Sequence, residues 1–196
     1  MQRSLLIAAI VLFSSVAFAS ASDVSAPSAP LFPPEAGVEA APTQVTPSTP
    51  DPDYPVRIAA PSISLDTSVV EVGVTKDGEM DVPSGKTKNV GWYKDGTVPG
   101  KIGSAVMDAH VYAAFKKLRY LKVGADVYVV TRSGRSLHFR VVDSRVYKLG
   151  ELPIDLLFNQ HDAKRLNLIT CAGAFSRKLN TYDHRLVAYA VLVEDK

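Results

Sequence analysis

One cysteine, Cys171, stands in a chain of 196 residues. A lone thiol excludes an internal disulfide framework. It also excludes metal sites that need two thiolates, and the four histidines, His110, His138, His161 and His184, show no His-x-x-x-His spacing. No metal site is therefore expected. Charge of one sign is missing as well: 22 basic residues against 20 acidic ones leave a net charge of +2. Without a basic excess or a Lys/Arg run, nucleic acid and an anionic membrane surface are excluded as main partners. Arg132 and Arg135 flank a Ser-Gly turn and read as solvated hairpin tips. No Gly-rich phosphate loop or dinucleotide fingerprint is present, so no cofactor is expected. No internal repeat appears. Helical periodicity is scarce too.

What is present falls into three parts. Residues 1–22 open with Met1-Gln2-Arg3. They continue in a small or apolar run that carries no charge before Asp23. Ala17-Phe18-Ala19 and Ala19-Ser20-Ala21 fit small-x-small cleavage sites, so the segment reads as an export signal. Residues 4–22 are also long enough for a membrane anchor, which takes roughly 17–25 residues of helix. Arg3 would then remain on the cytoplasmic side. Cleaved or retained, the segment places the rest of the chain outside the cytoplasm, at the cell surface. Residues 23–53 hold Pro27, Pro30, Pro33, Pro34, Pro42, Pro47, Pro50 and Pro52. Each proline fixes φ and removes a backbone donor, so this stretch reads as a disordered linker. Extended, it would reach roughly 100 Å.

Residues 54–196 form the expected folded domain, with an ordinary globular balance of 46% hydrophobic and 21% charged residues. The pattern is mainly β. Strand-like runs lie at Pro55–Ala59, Thr67–Val72, Ala105–Met107, Val127–Val130, Leu137–Val141, Leu166–Thr170 and Leu186–Val193. Ser133-Gly134 joins two of them as a hairpin, and Asp77-Gly78 marks another turn. Residues 113–121 place Phe115, Leu118 and Leu121 at helical spacing, and residues 152–165 leave room for one or two short turns. Short strands divided by Gly, Pro and Asp turns point to a closed or sandwiched β domain.

Cys171 ends the apolar run Leu168-Ile169-Thr170 and precedes Ala172-Gly173. A strand end can project a thiol into a cleft, and the small residues after it leave room for a substrate backbone. A buried cysteine finishing a core strand fits the same position, and position alone does not choose between them. A thiol attacks as thiolate, and an ordinary cysteine has a pKa of about 8.5, so a base or cation is needed nearby. His138 alternates with Leu137 and Phe139 and so faces solvent on a strand, and His161 and His184 lie in polar surroundings; all three read as surface residues. His110 differs, because it ends the buried run Gly103–Ala109. Asp108 would point to the same side of an extended strand and could bias the imidazole. Arg185 opens the last strand and offers fixed donors for charge developing on a carbonyl oxygen.

His110, Cys171 and Arg185, each at a strand end and in that order, resemble the sortases over Val56–Val193. Asn167-Leu168-Ile169-Thr170-Cys171 is similar to the sortase signature Thr-Leu-x-Thr-Cys. Arg57-Ile58-Ala59-Ala60-Pro61-Ser62-Ile63 is similar to the family's opening strand. Val90-Gly91-Trp92-Tyr93-Lys94-Asp95-Gly96-Thr97-Val98-Pro99-Gly100, with Gly103-Ser104-Ala105-Val106, looks most like class F. Asn167 in place of the first Thr, and Ala109 where the family usually has Gly, depart from the pattern.

The resemblance implies an eight-stranded β-barrel with one or two short helices, and a cysteine transpeptidase of the hydrolase class. Cys171 would attack a Leu-Pro-x-Thr-Gly-like sorting signal on another exported protein. His110 would serve as acid and base. Arg185, with the amide of Ala172, would hold the carbonyl oxygen, and Thr170, Ala172 and Gly173 would contact substrate. An amine acceptor in cell wall or pilin would resolve the thioacyl enzyme. Two alternatives are an L,D-transpeptidase-like wall enzyme, against which Ile169-Thr170 before the cysteine counts, and a non-catalytic exported β-barrel binding module.

Overall fold

The computed structural model describes residues 53–194. The expected signal or anchor at 1–22, and the linker up to residue 52, lie outside the described residues. Eight strands close into a barrel in the order β1-β2-β3-β4-β7-β8-β6-β5. They are β1 (Pro55–Ala60), β2 (Leu65–Val72), β3 (Val90–Tyr93), β4 (Gly103–Asp108), β5 (Asp126–Thr131), β6 (Ser136–Lys148), β7 (Lys164–Ser176) and β8 (Thr181–Leu192). β2–β3 and β4–β7 pair in parallel, and every other neighbouring pair is antiparallel. Closure removes the open edges that a sheet of this size would otherwise expose. The expected eight-stranded, mainly β barrel is what the chain forms.

Strand alternation sorts the side chains between two apolar clusters. Ala105 and Met107 of β4, Leu166 and Leu168 of β7, and Leu186, Ala188 and Ala190 of β8 point into the barrel. Val106, Ile169, Val187 and Tyr189 point the other way, into a second cluster with Leu157. The period of two makes these sets opposite faces of one wall. The outer face is roofed by α1 (Ile154–Phe158), in the connection between β6 and β7. Leu157 is wholly buried there. The Asn167 amide donates to the Leu157 carbonyl at 2.7 Å, which ties α1 to β7.

Three sequence expectations need correction. Residues 113–121 form turns with i→i−3 bonds and one 3-10 turn at Leu118–Tyr120, not the expected helix. So short a stretch cannot offset the cost of helix nucleation. Its apolar triplet was still a true signal, since Phe115, Leu118 and Leu121 all enter the barrel core. The last strands are longer than their apolar cores: β6 runs to Lys148 past a register shift at Val141–Asp143, and β7 and β8 continue as a hairpin beyond Cys171. Pairing, not hydrophobicity, extends these polar ends. Finally, the 132–135 hairpin tip is not merely solvated. Arg132 stacks on and hydrogen-bonds Tyr54, and Arg135 pairs with Asp53 at 3.2 Å, so the tip fastens the start of the barrel.

Candidate active site

β4 and β7 run side by side in parallel register, with Asp108 opposite Ile169. The pairing continues past the end of β4. The Ala109 N–H donates to the Ile169 carbonyl at 3.4 Å, and the Thr170 hydroxyl donates to the Ala109 carbonyl at 2.6 Å. His110 and Cys171 therefore follow next on adjacent stretches of backbone, His110 two residues past the end of β4 and Cys171 inside β7, not at the strand end that its apolar run predicts. The His110 ring stacks on Tyr112 with centroids 4.8 Å apart and planes within 12°.

On the other side of β7, Cys171 is the direct antiparallel partner of Arg185. Both continue the outer-face series, Ile169-Cys171 on β7 and Arg185-Val187 on β8. The guanidinium is held by neutral acceptors. Its Nη1 donates to the carbonyls of Tyr182 and His184 at 2.9 and 3.0 Å, and its Nη2 donates to the Thr181 hydroxyl at 3.2 Å. Among the described residues no carboxylate forms an ion pair with it, so its charge acts on its surroundings.

Cys171 is half-buried. Burial pushes its thiol pKa up, Arg185 pulls it down, and Asp108 pushes it up. The net direction is upward, so the resting sulfur is a thiol near neutral pH. Arg185 was expected beside the cysteine, whereas Asp108 was expected to act on the imidazole; the structure brings its charge to bear on the thiol. Asp81, from the segment between β2 and β3, also acts on Asp108 and had no sequence signal. Only the tertiary fold brings residues 81, 108, 171 and 185 into one electrostatic neighbourhood.

The three residues expected to contact substrate have distinct local roles. Thr170 is buried on the barrel side and fastened to Ala109. Ala172 pairs with His184. Gly173 sits in the register shift between Ala172 and Phe175 at φ +78°, where a Cβ would lie 2.1 Å from Asp183 Oδ1. Only glycine fits that bend. A groove of about 320 Å³ runs past Cys171, Ala172 and Gly173 on one side and Tyr112, Lys116 and Arg119 on the other. Thr170 also lines it.

His138 and His184 make their own carboxylate bonds, and His184 borders the site through its pairing with Ala172 and its carbonyl on Arg185. His138 bonds Asp126 at 2.8 Å and stacks on Tyr128, and His184 bonds its neighbour Asp183 at 2.7 Å. No group of three or more metal-ligating side chains gathers among the described residues.

A closed eight-stranded barrel with a cysteine and an arginine paired at one wall defines a class of β-barrel thiol proteins. The sortase domain profile matches residues 58–193, and the chain belongs to the sortase family. Similar folds occur in a Sortase D5 transpeptidase from Clostridium perfringens (19% identity, TM-score 0.55, covering 72% of this chain and 80% of that one). A lid mutant of sortase A from Corynebacterium diphtheriae is similar at 21% identity and TM-score 0.55, covering 73% and 72%. Sortase C from Clostridium perfringens SM101 is similar at 23% identity and TM-score 0.53, covering 73% and 71%. No curated protein is significantly similar to the chain. Family membership displaces the L,D-transpeptidase alternative.

Proposed function

We propose that this sortase works at the cell surface, joining exported proteins that carry a Leu-Pro-x-Thr-Gly-like signal to an amine. The observation that carries the reading is the direct pairing of Cys171 with Arg185 in a barrel of this family. The apolar segment 4–22 supports export, with retention as an anchor or cleavage as the two outcomes. The Val90–Gly100 block favours class F within the family.

The reaction has two halves. The Cys171 sulfur attacks the scissile carbonyl carbon, and its proton leaves for the His110 imidazole. Arg185 and the Ala172 amide stabilise the oxyanion that forms. The C–N bond then breaks, and the leaving amine takes the proton from imidazolium. In the second half an incoming amine attacks the thioester carbonyl and gives a proton to His110. The C–S bond breaks, and the thiol is restored. A thioester reacts readily with amines, which suits transfer over hydrolysis. The groove beside Cys171 offers room for the arriving amine.

The decisive experiment incubates the protein with a Leu-Pro-x-Thr-Gly peptide, with and without hydroxylamine as acceptor, and follows intact mass. The expected result is an acyl adduct on Cys171 that hydroxylamine discharges. Iodoacetamide should alkylate Cys171 and stop cleavage. Full turnover in Cys171→Ala would sink the mechanism, and an accessible thiol with no adduct for any sorting peptide would favour a binding module.

A further inference from the structure

Asp108 occupies an unusual place for a carboxyl. It continues the outer-face series Ser104, Val106, Asp108 on β4, one strand away from Cys171 and two from Arg185. Its position in that wall is diagonal to Cys171, because its direct partner is Ile169. On its other flank β3 presents Gly91, which has no side chain to offer a bond. One of its carboxyl oxygens is buried with no hydrogen-bond partner among the described residues. Nor does any ion pair within contact distance join it to Arg185 among those residues. Burying a polar atom unpaired costs about 1–3 kcal/mol. Val106, one step earlier on the same face, shows what packing alone would select.

The charged and titratable groups around it come from several elements. Arg185 faces it from β8, Cys171 from β7, and Asp81 from the segment between β2 and β3, while His110 follows two residues beyond the end of β4. β3 contributes glycine, and α1 contributes the apolar Leu157 to that face.

We propose that Asp108 is a positioning residue of the transfer reaction, a carboxyl whose charge opposes Arg185 and holds Cys171 as a thiol until substrate covers the site. The inference rests on Cys171 as the nucleophile. Burial raises the Asp108 pKa to about 7, with Arg185 pulling down and Asp81 pushing up, so its charge changes near neutrality. With Asp108 ionised, its charge offsets part of the field of Arg185 at the sulfur. With Asp108 protonated, that field favours thiolate. A bound peptide that excludes water from Asp108 disfavours its charged form, and so frees Arg185 to act on both the sulfur and the carbonyl oxygen.

The lone cysteine makes the test clean, since iodoacetamide reports one thiol and needs no transfer substrate. In Asp108→Asn the alkylation midpoint should move to lower pH by about half a unit to one unit, with alkylation about three- to tenfold faster near neutrality. Asp81→Asn should slow alkylation near neutrality and leave the alkaline midpoint in place. Removing the neighbouring negative charge lets Asp108 ionise at lower pH, so neutral-pH alkylation slows. An unchanged profile in Asp108→Asn overturns the proposal. If that variant does not fold, Asp81→Asn decides alone, and unchanged or faster alkylation there is equally fatal. A failed nucleophile reading looks different: Cys171 would titrate as described, yet Cys171→Ala would retain turnover.

Discussion

At the residue scale, the site is a problem of charge around one sulfur. Burial and Asp108 hold the proton on Cys171, and Arg185 works against both. Removing Arg185 should therefore harm catalysis in two ways, through the thiolate and through the oxyanion. Arg185→Ala is expected to lower kcat/KM with a sorting peptide by at least about 100-fold. Arg185→Lys should rescue little, because a compact ammonium lacks the planar fork whose two nitrogens reach the Tyr182 and His184 carbonyls and the Thr181 hydroxyl at once. His110→Ala should cost at least about 100-fold through lost proton transfer. Steady-state kinetics beside thermal unfolding curves check all three, and a comparable loss of fold would move these residues from chemistry to structure. His110, Cys171 and Arg185 were legible as candidates because each ends or opens an apolar run. The action of Asp108 on the thiol was not legible, because nothing in a linear pattern says that residue 108 lies diagonal to residue 171.

At the element scale, two features position the site. The first is the bend after Cys171. Gly173 has φ +78°, and a methyl there would meet Asp183 Oδ1 at 2.1 Å and His184 Nδ1 at 2.5 Å. Gly173→Ala should destabilise the protein by about 1–2 kcal/mol and re-aim the strand beyond the cysteine. Urea unfolding and alkylation rate together read both effects; a fully stable variant would mean that the bend relaxes freely. The second feature is the roof of the outer face. Leu157 is wholly buried against Val106, Ile169 and Val187. Leu157→Ala is expected to cost about 2–4 kcal/mol in urea unfolding. A loss under half of that would show that α1 can lift off the wall. The strand cores were legible from period-two apolar runs. The polar halves of β6, β7 and β8 were not, since cross-strand hydrogen bonds create them. The segment 113–121 shows the converse: its spacing identified three core residues correctly and their backbone wrongly.

At the scale of the whole molecule, Asp108 makes stability depend on pH in a particular direction. Its pKa rises from 3.8 to about 7 on folding. Between those values the folded chain holds a proton that the unfolded chain has lost, so this contribution to stability is full at low pH and falls as pH rises through about 7. Asp66, Asp126, Asp162 and Asp183 act oppositely, because each is held below the usual range by a hydrogen-bonded basic neighbour, so their support fades as pH falls. The advantage of Asp108→Asn over the parent in thermal midpoint should therefore grow from acid to mildly alkaline pH. A constant difference across that range would mean that the carboxyl keeps one charge state throughout.

The sequence by itself determined a mainly β domain, the apolar runs that border His110, Cys171 and Arg185, and the family whose signature surrounds them. These follow from local causes: alternating apolar residues, turn-forming glycines and a short motif. The expected strand ends proved to be interior positions for Cys171 in β7 and Arg185 in β8. Only the tertiary structure decided that Cys171 faces Arg185 in register, that Gly173 bends the strand just beyond it, and that Asp81 and Asp108 bring negative charge to the same wall. The physical reason is strand pairing in the barrel: β4 meets β7 across the whole of β5, β6 and α1, and the register shift between Ala172 and Phe175 sets which residue of the β7–β8 hairpin faces Cys171. The lone cysteine is named by the chain, and its charge environment is set by residues that the fold alone makes its neighbours.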